Sequence, residues 1–165
     1  MPKTADVKMV ELTGNDKELW DRVSEYAGKC SWQTTGQYLS DKMKRNDFLE
    51  WERVFAAFSQ DKVIGFCAFT KDSTVLGEKY SPYIGFLFVD EAYRENHIGR
   101  KLCASAVQYA GTKNFDKVYL YSDLLNYYEK MGFDKIGEED TPWGVRWTKT
   151  VYTQKGVMSL VLSNL

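Results

Sequence analysis

In the segment Phe86-Leu87-Phe88-Val89-Asp90-Glu91-Ala92-Tyr93-Arg94-Glu95-Asn96-His97-Ile98-Gly99-Arg100, an apolar run stops at Asp90 and passes through a turn of cationic and flexible residues into a helical pattern. A strand that feeds a helix through such a turn aims several backbone N–H groups, and the positive end of the helix dipole, at one spot. That spot is suited to a phosphate.

A second segment, Tyr127-Tyr128-Glu129-Lys130-Met131-Gly132-Phe133, follows the apolar run Val118 to Tyr121. Together the two segments resemble the signatures of the GNAT family of N-acetyltransferases. In that family a pyrophosphate-binding arm reads Arg/Gln-x-x-Gly-x-Gly/Ala, and a later helix carries Tyr-Glu-Lys-x-Gly-Phe. The likeness covers most of the chain in element order and is strongest from Tyr83 to Gly137.

The resemblance implies an α/β fold of the acetyltransferase type: a central, mostly antiparallel mixed sheet, flanked by helices, with one parallel pair of strands splayed apart to admit the pantetheine arm of acetyl-CoA. It implies acetyl-CoA as cosubstrate, no metal, and a small-molecule or peptide amine as acceptor. By the same likeness, Leu87, Phe88 and Val89 hold pantetheine through their backbone, and Arg94, Glu95, Asn96, His97, Ile98, Gly99 and Arg100 form the diphosphate cradle. Tyr128, not Tyr127, matches the phenol that donates to the departing sulfur.

The residues agree with this in part. Converging donors need positions without bulky side chains, and Gly99 is one. His97 stands where the family has its other glycine. Histidine accepts a positive φ more readily than most side chains, so either the backbone keeps the cradle with the ring outward, or the ring itself reaches a phosphate. A bulge near Leu87 to Val89 would free a backbone N–H for the thioester carbonyl. A general base is harder to assign. Ile84, Gly85 and Phe86 supply no carboxylate, which leaves Asp123 after the fifth strand, Glu50 or Glu52, or water. Asp123 is equally suited to capping a helix. A buried Tyr128 that merely satisfies a backbone group, and an ordinary strand-to-helix turn at residues 94–100, are the plain alternatives.

Composition sets the frame. The 165 residues, 44% hydrophobic and 15% aromatic, suffice for one domain with a sizeable core. A single acetyltransferase domain over residues 1–165 is expected, with 154–165 an apolar extension packed within the domain or against a second copy in a homodimer. A formal charge of −1 argues against a nucleic-acid surface. Nowhere do about eighteen apolar residues run together, so no membrane partner is expected. Cys30, Cys67 and Cys103 lie far apart and describe no disulfide framework, which points to a reducing, cytoplasmic setting. One histidine and no Cys-x-x-Cys leave little for zinc. There is no P-loop, and no glycine-rich turn follows the first strand.

Along the chain, strands are expected at Val7 to Leu12, Trp51 to Ser59, Val63 to Thr70, Tyr83 to Val89, Lys117 to Ser122, Phe133 to Gly137 and Val145 to Thr153. Helices are expected after an Asn15/Glu18 capping box, from Trp32 to Arg45 behind a Ser31 cap, from Ile98 to Gly111, and from Leu124 to Met131 behind an Asp123 cap. Trp32, Tyr38 and Trp51 are candidates to line an acceptor cleft between the early helices and the loop after Thr70. A CoA-binding sensor without turnover, and an interaction protein without a CoA site, are the readings from other classes.

Overall fold

The computed structural model describes residues 6–72, 80–124, 126–141, 144 and 146–154. Strands β1 (Val7–Leu12), β2 (Arg53–Ser59), β3 (Lys62–Thr70), β4 (Tyr83–Val89), β5 (Lys117–Ser122), β6 (Asp134–Asp140) and β7 (Arg146–Thr153) form one sheet in the order β1-β2-β3-β4-β5-β7-β6. Neighbours are antiparallel except β4 and β5. Helices α1 (Lys17–Lys29) and α2 (Gln33–Lys44) cover one face, and α3 (Ile98–Thr112) covers the other. This is the expected mixed sheet with a parallel crossover from β4 through α3 to β5.

The two-sided cover follows from central strands whose middle residues are apolar on both faces. In β2, Val54, Ala56 and Phe58 pack under α1 and α2, while Phe55 and Ala57 pack under α3. The alternation slips by one residue in β3. Ala57 opposes Gly65 and Phe58 opposes Val63, so Val63 and Phe66 face α1 and α2 while Ile64 and Cys67 face α3.

A second bulge lies in β4, where Phe88 opposes Phe66, Gly85 opposes Ala68, and Phe86 takes φ +54°. It moves Ile84 and Phe86 to opposite faces, so Phe86 and Phe88 join the α1–α2 core while Leu87 and Val89 pack against the α3 side. The continuous apolar run of β4 hides this shift, because no polar residue marks its period.

Several boundaries differ from expectation. The N-cap of α1 is Asp16, not Asn15, and its carboxylate accepts from the backbone N–H of Thr13 at 2.8 Å instead of capping the helix. The N-cap of α2 is Trp32, and the hydroxyl of Ser31 is engaged with Glu91. Only a 3-10 turn, Glu129–Met131, occupies the place of the helix expected from Leu124. Among the described residues the Asp123 carboxylate accepts no backbone N–H, and that of Leu124 donates to the Ser122 hydroxyl at 3.0 Å. Strand β6 begins after Phe133 and runs on to Asp140. Most of the loop expected after Lys71 and the apolar tail from residue 155 lie outside the described residues.

Cys30, Cys67 and Cys103 are free and buried, and desolvation pushes the Cys103 thiol up to about 12. Among the described residues no helix is long and apolar enough to cross a membrane.

Leu102 of α3 is fully buried beneath β2 to β4. Leu102→Ala should lower the unfolding free energy by about 2–5 kcal/mol, read as a shift of the denaturant midpoint at unchanged m-value.

Candidate active site

The parallel pairing of β4 and β5 is short. Tyr83 opposes Tyr119 and Ile84 opposes Leu120, and beyond these two pairs the strands separate. β5 continues along β7 as far as Ser122 opposite Thr148, while β4 bulges toward β3. The edge of residues 85–89 that faces β5 therefore has no strand partner. A cleft of about 1040 Å³ opens at this point. One wall is β4 from Gly85 to Val89 with the turn that follows it. The opposite wall is the end of β5 with Tyr127 and Tyr128, and Trp32, Thr35 and Asp72 close the side under α2.

At the turn, residues 91–93 form a 3-10 turn capped by Asp90, which accepts from the backbone N–H of Ala92 at 3.0 Å. Glu95 and His97 take φ of +68° and +61°, and His97 is the N-cap of α3 in the left-handed region. The backbone at His97 takes the conformation that glycine would take, and the imidazole is exposed. Among the described residues, no N–H from Glu95 to Arg100 donates to a protein acceptor, and the first helical bond is Lys101 N–H to the His97 carbonyl at 3.0 Å. Six successive donors without a protein acceptor at a helix N-terminus are an arrangement suited to an anion. Gly99 keeps it shallow. A Cβ there would stand 3.0 Å from the Tyr127 hydroxyl, tighter than ordinary contact.

The turn is braced from two sides. Tyr26 donates to Asp90 at 2.9 Å, and Ser31 donates to Glu91. The Ser31 bond, then its own backbone N–H, hold the Glu91 carboxyl below the usual range. Arg94 donates from Nε to the Val89 carbonyl at 3.0 Å and lies 5.6 Å over the Phe88 ring. These contacts span 60 or more residues for Ser31 and Tyr26, so no local pattern announces them.

A sequence profile of the acetyltransferase (GNAT) family matches residues 17–133. This chain belongs to that family. Aminoglycoside 6'-acetyltransferase type Ii is similar at 19% identity and TM-score 0.68 over 88% of this chain and 96% of that one. PH1933 from Pyrococcus horikoshii OT3 is similar at 25% identity and TM-score 0.62, over 91% and 99%. The NatC complex bound to Gag peptide and CoA contains a chain similar at 17% identity and TM-score 0.66, over 91% and 99%.

Within this acetyltransferase the cleft collects Leu87, Phe88, Val89, Arg94, Glu95, His97, Ile98, Gly99, Asp123 and Tyr128. Two of the expected residues point elsewhere. The Asn96 amide donates to the carbonyls of Tyr93 and Arg94 at 3.0 and 3.1 Å, and Arg100 reaches the Lys130 carbonyl at 3.4 Å. Both still contribute their backbone N–H to the turn. Of the aromatic candidates, only Trp32 lines the cleft. Tyr38 stacks on Phe86 beneath α2, and Trp51 packs on Phe69 and Phe115. Glu52 is a buried clamp, accepting from the backbone N–H groups of Leu49 and Lys71 at 2.6 and 2.7 Å, and does not line the cleft.

Tyr128 is only 5% exposed and packs edge-on against Phe133. Burial, chiefly, pushes its phenol well above the ordinary range, and the Ser122 hydroxyl bonded to it opposes that rise. Tyr26 is raised too, by burial and then by its bond to Asp90. Both phenols stay protonated in the folded chain where the unfolded chain would ionise them near pH 10. Their contribution to stability is therefore complete below pH 10 and is lost above it. An ultraviolet titration should show at least two of the eleven tyrosines ionising only as the fold is lost. Smooth titration of all of them in the native state would contradict this geometry.

Proposed function

We propose that this chain moves an acetyl group from acetyl-CoA to a primary amine by direct attack in a ternary complex. The observation that carries the reading is the opening of β4 from β5 beside the six free N–H groups of residues 95–100. The diphosphate fits those donors, with Gly99 leaving room for it. The pantetheine arm fits the unpaired edge of residues 87–89 as an added strand, and the bulge at Phe86 frees backbone donors for the thioester carbonyl.

In this reading the amine nitrogen attacks the thioester carbon, the carbon–sulfur bond breaks, and the sulfur leaves as a thiolate held by the Tyr128 hydroxyl. A phenol whose pKa is raised is a poor source of a free proton but remains a hydrogen-bond donor throughout the working range. Tyr128 thus favours the charge that develops on sulfur, and solvent completes the protonation. Asp123, exposed at the mouth of the same cleft, takes the proton from the incoming ammonium directly or through water. The acceptor enters from the side of Trp32, Thr35 and Asp72. The similar chains named above include one that acts on aminoglycosides and one bound to a peptide, so the acceptor class spans small amines and peptides.

One observation favours a second reading, a CoA sensor without turnover. A Cβ at Gly85 would meet nothing within 4 Å, so the cleft has room at that point of β4 yet holds no carboxylate there.

Thiol release from acetyl-CoA across a panel of amines tests the assignment. Catalysis requires release that depends on the acceptor and falls by about a hundredfold in Tyr128→Phe, with the affinity for CoA retained. CoA that raises the melting temperature without any acceptor-dependent release would establish the sensor instead.

A further inference from the structure

Tyr127 is the neighbour of the proposed catalytic phenol and has a different environment. Its ring stands edge-on to that of Tyr128, with centroids 4.9 Å apart and planes at 85°. The Tyr128 backbone is in turn held by the N–H groups of Met131 and Phe133, which donate to its carbonyl at 2.9 and 3.2 Å. The Tyr127 hydroxyl lies 3.0 Å from the point where a side chain on Gly99 would begin, and Leu87 Cδ2 and Val89 Cγ2 lie 3.9 and 3.7 Å from that same point. The phenol therefore reaches the place where the unpaired edge of β4 meets the first turn of α3. It is 38% exposed, it lines the cleft, and among the described residues its oxygen makes no hydrogen bond to protein. Desolvation raises its pKa, with the opposing influence of Arg100 smaller, so the hydroxyl is a donor at any working pH.

We propose that Tyr127 is a cofactor-binding residue whose hydroxyl donates to the diphosphate of acetyl-CoA. It adds a side-chain donor to the main-chain donors of residues 95–100. The proposal rests on the reading of this cleft as the acetyl-CoA site. It also gives a reason for glycine at position 99 beyond the approach of the cofactor itself, since a side chain there would displace the phenol.

Tyr127→Phe keeps the ring and removes only the donor. Binding of CoA and of 3'-dephospho-CoA, measured by calorimetry, should weaken alike in the variant, by about ten- to a hundredfold, as expected for one hydrogen bond to a charged group. The melting temperature without ligand should stay near that of the parent, and the KM for acetyl-CoA should rise by a similar factor. Gly99→Ala should weaken CoA binding more in the parent than in Tyr127→Phe, where no hydroxyl is left to displace. Equal CoA affinity in parent and variant overturns the proposal and leaves the acetyl-CoA site standing. Weakening confined to CoA overturns it in favour of a contact with the 3'-phosphate, and a fall in turnover at unchanged affinity overturns it in favour of a role in the chemistry. A parent chain that binds neither nucleotide overturns both this proposal and the function on which it rests.

Discussion

The interruption of hydrogen bonding between β4 and β5 is the constraint on which the other features depend. Two parallel strands that stayed in register beyond Ile84 and Leu120 would satisfy each other's backbone and close the cleft. They part because each has a stronger commitment elsewhere. β5 follows β7 for six consecutive pairs, from Lys117 to Ser122, and β4 is drawn into the bulge opposite Cys67. The aromatic layer beneath α2 holds that bulge in place: Phe86 stacks on Tyr38 at 5.8 Å, and Phe88 stacks on Trp32 at 6.4 Å. A phenylalanine at φ +54° is an uncommon conformation. It persists because the stacked ring of Tyr38 and the β3 pairs on either side of the bulge hold it.

The turn after β4 shows the same logic on a smaller scale. His97 stands where the family pattern has glycine and still takes the left-handed conformation that glycine would take. The strain at one such residue is on the order of 1–2 kcal/mol. Against it stand the Asn96 amide on two carbonyls, Arg94 on the Val89 carbonyl, and the two long-range bonds from Tyr26 and Ser31. The shape of the turn is thus a property of the braced loop rather than of its glycines. Gly99 is required for space, since a side chain there would begin 3.0 Å from the Tyr127 hydroxyl.

What the sequence makes legible follows from the range of each interaction. β1, β4 and β5 have the bounds that their apolar runs suggest, and Ile98, Leu102, Ala106, Tyr109 and Ala110 form the buried stripe of α3 that their spacing predicts. The turn after β4 and the Tyr-Glu-Lys-x-Gly-Phe segment are local patterns, and residues of the turn line one cleft with Tyr128. The misread positions are those where a short polar residue has two possible partners. Ser31 can cap a helix, yet it bonds Glu91, and Asp16 holds the N-cap position of α1 for which Asn15 is suited. Capping preferences are statements about isolated helix ends, and a tertiary partner of similar strength overrides them. The bulge in β4 and the brace from α1 have no local signal at all.

Tyr127 and Tyr128 are adjacent, identical in chemistry, and both line the cleft, yet Tyr127 is partly exposed and Tyr128 is buried. The division is a consequence of the turn that follows them. A full helical segment from Leu124 would place successive side chains about 100° apart on one cylinder, and both rings would contend for similar surroundings. The 3-10 turn at Glu129–Met131 instead closes on Gly132 at φ +96°, and the Tyr128 carbonyl receives two N–H groups across it. A Cβ at Gly132 would meet the Tyr152 ring at 3.3 Å as well as an unfavourable φ. The glycine therefore fixes how tightly the turn closes, which seats Tyr128 against Phe133 and leaves Tyr127 facing the first turn of α3. The Gly-Phe pair that ends the family motif acts at a distance from the chemistry, by setting which of two neighbouring phenols is buried.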